Sequence, residues 1–161
     1  MNLLPIQICS LEAVREIDIS LYDGVITIED SDIEDPFRVT EYGPDQLVLC
    51  FDDISVPVEG FVEPNEKHIL KALAFAHKIE TETAGSLLIH CHAGISRSSA
   101  IALAIIATRL GAGKELQAIK MLEKINPNCS PNKSMVWMTD EILERKMVLY
   151  KTAFQNVWLT N

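Results

Sequence analysis

The chain has 161 residues, 48% of them hydrophobic and 23% charged, which fits one soluble domain over residues 1–161 with a single sizeable core. Its formal charge of −9 repels nucleic acid and anionic membrane surfaces, so neither is expected as a partner. Four cysteines at irregular spacing, with no Cys-x-x-Cys pair, make neither a disulfide framework nor a zinc ribbon, and they point to a reducing, cytoplasmic setting.

The start, Met1 to Pro5, has no basic stretch and no long apolar run, so no signal peptide is expected. Ile6-Gln7-Ile8-Cys9 alternates as a first strand. Ser10 suits the N-cap of a helix over Leu11 to about Ile17. Asp23-Gly24 marks a turn, and Val25 to Ile28 reads as a fully buried second strand. Glu29 to Asp35 is acidic and reads as a solvated loop closed by Pro36. Leu47 to Phe51 forms a third strand, and a loop containing Pro57 follows. Cys50, at the end of the third strand, is expected to be a buried spectator.

Pro64 suits the first turn of a helix reaching about Glu80. Ser86 to His90 is a fourth strand, and Ser99 to Leu110 a helix with Gly111 as its C-cap. The longest apolar run, Ala100 to Ala107, is far too short to span a bilayer. Another helix covers Lys114 to Ile125, and a last one starts near Lys133. Strands alternate with helices early and helices dominate late. That order predicts an α/β fold: a small, mainly parallel sheet of four to five strands flanked by helices. Phe51-Asp52-Asp53 and His90-Cys91 both lie at the C-terminal ends of strands, where open α/β sheets place their sites.

His90-Cys91-His92-Ala93-Gly94-Ile95-Ser96-Arg97-Ser98 is the stretch that carries chemistry. It runs from a strand through a tight loop to a helix N-terminus. Such a loop can surround an oxyanion with backbone N–H groups, and the helix dipole favours the anion. Gly94 permits the positive φ that the turn needs. Cys91 is the candidate nucleophile, because loop amides and Arg97 favour the thiolate. Arg97 offers a planar fork for two nonbridging phosphate oxygens, a geometry that Lys lacks. Phosphate is the expected oxyanion, and its transfer to Cys91 the expected chemistry. His90, Cys91 and His92 are not expected to hold a metal, since strand neighbours point apart and no further ligands stand at zinc spacing.

The segment resembles the His-Cys-x5-Arg-Ser/Thr signature of the cysteine-dependent protein tyrosine and dual-specificity phosphatases. Leu47 to Ile54 resembles the strand and loop that carry the family's general acid. Ser130-Pro131-Asn132 and Met135 to Leu143 resemble its late helix. The sequence is most similar to the small bacterial branch of compact, tyrosine-phosphatase-like proteins, and the resemblance covers roughly Leu47 to Leu143. It implies a phosphatase-like fold with the phosphate loop between strand and helix, and no cofactor. Cys91 would attack phosphorus while Arg97 and the loop residues His92, Ala93, Gly94, Ile95 and Ser96 hold the phosphate. Ser98 would donate to the leaving thiolate, and His90 would organise the loop without acting as a base. The acid is Asp53 or Asp52; the Phe-x-Asp-Ile pattern at Phe51 to Ile54 favours Asp53.

The resemblance implies action on a phosphorylated protein or peptide, with phosphotyrosine first and dual specificity open, and a monomer is expected. The uncharged Ala93, Ile95 and Ser96 do not suit polyphosphorylated rings or lipid headgroups. Two alternatives remain open: a noncatalytic phosphate-binding module, and a phosphatase of a small phosphorylated metabolite.

Overall fold

The structure is a computed structural model that describes the backbone of residues 5–156 and the side chains as far as Phe154. Four strands form one sheet: β1 (Ile6–Cys9), β2 (Gly24–Glu29), β3 (Asp45–Cys50) and β4 (Leu87–His90). Their order is β1-β4-β2-β3, and every neighbouring pair is parallel. The mainly parallel sheet expected from the sequence is therefore, among the described residues, wholly parallel.

Parallel strands covered on both faces read as continuous apolar runs. The central pair obeys this rule: Val25, Ile26, Thr27 and Ile28 of β2 and Leu87 to His90 of β4 are all buried. The edge strand β3 buries only Leu49 fully. Alternate side chains take opposite faces. Ile26, Ile28, Leu87 and Ile89 enter the main core, whereas Val25 and Leu88 enter a thinner layer with Val14, Phe37 and Val39.

Helix α1 (Leu11–Val14) is a single turn capped by Ser10, whose Oγ accepts from the Ala13 amide at 3.0 Å. The cap is where the sequence places it, but the helix stops three residues short of Ile17. Helix α2 (Glu66–Glu82) starts from a capping box at Asn65, so Pro64 lies before the helix and not in its first turn. The sheet's main-core face is filled by α3 (Arg97–Leu110), in which every residue from Arg97 to Ala107 is buried. A helix apolar on all sides belongs inside a domain. Around α3 lie α2, α4 (Glu115–Ile125) and α5 (Lys133–Ile142).

A short α6 (Val148–Lys151) and a π-helical turn at Thr152–Asn156 end the described chain. They follow a turn in which Glu144, Lys146 and Met147 all have positive φ. The buried Asp140 carboxylate holds that turn, accepting from the Met147 and Tyr150 amides at 2.8 and 3.0 Å. Arg145 is buried behind it, paired with Glu115 at 3.2 Å and donating to the Ala107 and Gly111 carbonyls. Arg145 thus supplies donors to two carbonyls at the end of α3, those of Ala107 and the C-cap Gly111. No described helix is long and apolar enough to cross a membrane.

Candidate active site

All four strands deliver a residue to the same rim. Beyond β4 the chain turns through 91–96 into α3, and Gly94 sits at φ 73°. A Cβ on Gly94 would lie 2.6–2.8 Å from backbone atoms of Cys9 and Ser10, so the end of β1 buttresses the loop directly. The Leu11 amide donates to the His92 carbonyl at 3.0 Å. On the far side, Asn126 Nδ2 donates to the Gly94 carbonyl at 2.8 Å. The Ser130 and Asn132 amides donate to the carbonyls of Ile95 and Ser96 at 3.0 and 3.3 Å.

These outward ties dictate which way the amides face. In a trans peptide the N–H points opposite to the preceding C=O. With the His92, Gly94, Ile95 and Ser96 carbonyls drawn outward, the amides of Ala93, Ile95, Ser96 and Arg97 face inward. That concave set of donors, at the positive end of a helix, has the geometry to receive an anion.

Cys91 Sγ is buried at 3% exposure, 3.2 Å from Ser98 Oγ, and accepts from the Gly94 amide at 3.3 Å. The thiol donates to Ser98 Oγ, and a thiolate at Cys91 can accept from that hydroxyl as well as from the Gly94 amide. Arg97 is 4% exposed. Its Nη1 donates to the Phe51 carbonyl at the end of β3, and its Nη2 meets Asp30 Oδ1 at the end of β2, both at 2.8 Å. Its Nε is the one buried side-chain nitrogen or oxygen without a hydrogen-bond partner among the described residues.

The two adjacent aspartates have separate environments. Asp52 is buried. It accepts from the Ser31 amide at 2.9 Å, Ser31 Oγ at 2.6 Å and the Val62 amide at 2.7 Å. Burial alone would raise its pKa, but the bonds from Ser31 and Val62, with Arg97 nearby, hold the carboxyl below its ordinary value. Asp53 is exposed at the loop's edge. Its Oδ1 accepts from Ser96 Oγ at 2.7 Å and Asn132 Nδ2 at 3.0 Å. Asn132 Nδ2 also reaches the Ile54 carbonyl at 3.0 Å, and its Oδ1 caps α5 at the Met135 amide. Asn132 therefore ties the Asp53 loop to a helix.

The three residues of the His-Cys-His run diverge. His90 is buried, with Nε2 2.8 Å from Thr27 Oγ1 and Nδ1 3.4 Å from the Cys91 carbonyl. Gln46 Nε2 donates to Thr27 Oγ1 at 2.8 Å, so the tautomer that uses every group has Thr27 donating to Nε2 and Nδ1–H facing Cys91. Burial pushes the His90 pKa down to about 4, leaving the ring neutral near pH 7. His92 is largely exposed, 3.9 Å from Asp30.

Two readings of the sequence need correction. Cys50 is exposed, not buried: β3 is an edge strand, and its last side chain points away from the core, with Sγ 3.9 Å from the Asp30 carbonyl. The acidic stretch is not merely a solvated loop. Glu29 pairs with Arg38, Asp35 with Arg15, and Asp30 with the buried Arg97. Nothing local in the sequence marks Asp30, because its partner lies 67 positions away across two strands.

A sequence model of the family described as "Protein-tyrosine phosphatase" matches residues 54–141. The chain belongs to the protein-tyrosine phosphatase family. The match begins just after Asp53 and includes the entire loop from Cys91 to Ser98. A probable dual specificity protein phosphatase of Dictyostelium discoideum is 25% identical over 147 residues, which is 91% of this chain and 58% of that protein. Dual specificity protein phosphatase 15 of Homo sapiens is 37% identical over 89 residues, 53% of this chain and 30% of that protein. The chain thus spans under two thirds of the length of these relatives. Among solved structures, human DUSP28 superposes with a TM-score of 0.68 at 17% identity, covering 90% of this chain and 98% of that one. DUSP15 gives 0.65 at 20% identity, covering 97% and 94%. At these identities the superpositions establish the fold of this phosphatase-family chain.

Proposed function

We propose that the chain is a cysteine-dependent phosphomonoester hydrolase in which residues 1–161 act as one phosphatase domain. The observation that carries this reading is the unpartnered Nε of buried Arg97. An orphaned buried donor costs about 1–3 kcal/mol, and an Nε–H beside an Nη2 N–H is the edge of guanidinium that grips an oxyanion bidentately. An entering phosphate would satisfy that edge and the inward amides together.

In the proposed reaction the Cys91 thiolate attacks phosphorus, and the bond from phosphorus to the leaving oxygen breaks. Asp53 gives its proton to that oxygen. Arg97 and the amides stay on the equatorial oxygens as the phosphoryl group flattens, which stabilises the charge developing in the transition state. Asp53 then accepts a proton from water as the water attacks phosphorus. The S–P bond breaks, Ser98 donates to the departing thiolate, and phosphate leaves. Asp53 suits the acid better than Asp52. The latter is occupied by three donors and held ionised, while Asp53 Oδ2 has no hydrogen-bond partner among the described residues.

The substrate we propose is a phosphorylated protein or peptide, phosphotyrosine first, with phosphoserine and phosphothreonine allowed. Uncharged Ala93, Ile95 and Ser96 line the loop, and the relatives are described as dual specificity phosphatases. The test is hydrolysis of p-nitrophenyl phosphate and of phosphopeptides in EDTA between pH 5 and 8. Turnover that disappears in Cys91→Ser supports the reading. A wild type that binds phosphate without turnover would replace it with a noncatalytic phosphate-binding module. Turnover of p-nitrophenyl phosphate with no phosphopeptide cleaved would turn it toward a small phosphorylated metabolite.

A further inference from the structure

We infer that Asp30 is the positioning residue for the Arg97 guanidinium, fixing from the end of β2 the plane in which the fork meets phosphate. The inference rests on the phosphatase reading above.

Arg97 begins α3, yet both of its terminal nitrogens are held by other strands. Nη1 donates to the Phe51 carbonyl just beyond β3, and Nη2 pairs with Asp30 Oδ1 just beyond β2, each at 2.8 Å. Two anchors on two nitrogens fix a planar group in position and in rotation. The edge left over is Nε–H with the second Nη2 N–H, which is the fork required for a phosphoryl group. Asp30 does not reach Nε, which has no partner. A carboxylate plugging the phosphate site would take Nε and Nη2 together, as phosphate does, so the one-sided contact marks a brace.

Asp30 is itself held. The Ile33 amide donates to its carbonyl at 3.2 Å. The next residue, Ser31, is bound through both amide and hydroxyl to buried Asp52. The relay Asp52–Ser31–Asp30–Arg97 links the acid loop to the phosphate clamp without passing through Asp53. Asp30 also brings the one carboxylate in direct contact with the buried Arg97 cation among the described residues. Removing that charge leaves the site more positive. The carboxylate should therefore aid the transition state by aiming Arg97 while slightly weakening ground-state phosphate binding.

This pairing yields a signature that general damage would not produce. Asp30→Ala is expected to lower kcat on the order of ten- to a hundredfold, the scale of a misplacement of about 1 Å. Inhibition by inorganic phosphate should stay equal or become tighter. Asp30→Asn, whose Oδ1 can still accept from Nη2, should recover much of kcat. In an Arg97→Lys background, Asp30→Ala should have little further effect, since it acts through the guanidinium. A readout independent of turnover is the Arg97 Nε–H signal in 15N NMR. It should be resolved in wild type and in Asp30→Asn, broadened in Asp30→Ala, and shifted in wild type by phosphate. Unchanged kcat and an unchanged Nε–H signal in Asp30→Ala would overturn the proposal, as would parallel losses of kcat, phosphate affinity and thermal stability. An inactive wild type would sink the phosphatase reading alone, because the Nε–H signal in Asp30→Ala still decides the role of Asp30.

Discussion

Replacing Asp52 should damage stability far more than chemistry, and replacing Asp53 should do the reverse. Asp52 is 6% exposed and holds three donors within 2.9 Å. Asp52→Ala orphans the Ser31 and Val62 amides and the Ser31 hydroxyl. Each orphaned buried donor costs about 1–3 kcal/mol. Ser31 and Val62 are exposed enough for water to replace part of the loss, so the sum should be about 3 kcal/mol. In a chain of this size 1 kcal/mol moves Tm by roughly 2–4 °C, giving a fall of roughly 6–12 °C. Asp52→Asn keeps one acceptor oxygen and should lose roughly half as much. Asp53 is exposed, and Asn there can still accept from Ser96 and Asn132, so Asp53→Asn should stay within about 0.5 kcal/mol of wild type. Thermal unfolding of the four proteins measures these shifts. Hydrolysis of phenyl phosphate, a poor leaving group, measures the acid: Asp53→Asn should lose about 10²-fold or more in kcat, while Asp52→Asn keeps the wild-type pH profile. An unfolding midpoint untouched by Asp52→Asn, together with loss of the acidic dependence on pH, would refute this division of labour.

Three further outcomes follow from the geometry. His90 has a folded pKa near 4 against about 6.5 unfolded. The unfolded state therefore binds the extra proton between those values, and stability falls as pH drops through that window, by roughly 2–3 kcal/mol near its lower end; denaturant unfolding should show this fall reduced in His90→Asn. Gly94→Ala places a methyl 2.6–2.8 Å from the Cys9–Ser10 backbone at a positive φ, so phosphate binding measured by calorimetry should be lost while far-ultraviolet circular dichroism is kept. Glu115→Ala strands the buried Arg145 charge, and unfolding should report a loss of about 3 kcal/mol, partly recovered in Glu115→Gln.

What could be read in the sequence was what is local. The loop from His90 to Ser98 was legible because strand end, glycine, thiol, arginine and helix start are contiguous. The apolar runs of β2 and β4 announced buried parallel strands, and Ser10 announced its cap. The Phe51 to Ile54 pattern favours Asp53 over Asp52, but their environments are visible only in the structure, since Ser31 and Val62 come to Asp52 from either side while Ser96 and Asn132 come to Asp53. Asp30 and Asn126 reach the loop through long-range packing that no spacing reveals. Cys50 was misread because an edge strand and a central strand have similar compositions. The turn at 144–147 had no glycine to mark it; its positive φ values are held by the buried Asp140, an interaction outside any short motif.

The central claim is a phosphoryl group carried on Cys91, and the most direct measurement is to trap it. Wild type, Ser98→Ala and Cys91→Ser would be mixed with p-nitrophenyl phosphate in EDTA, quenched rapidly in acid, and mapped by mass spectrometry. A phosphorylated Cys91 peptide is expected in wild type. More should accumulate in Ser98→Ala, where thiolate departure is slowed, and none should form in Cys91→Ser. Phosphate release that continues in Cys91→Ser, or turnover with no adduct on Cys91 in any variant, would contradict it.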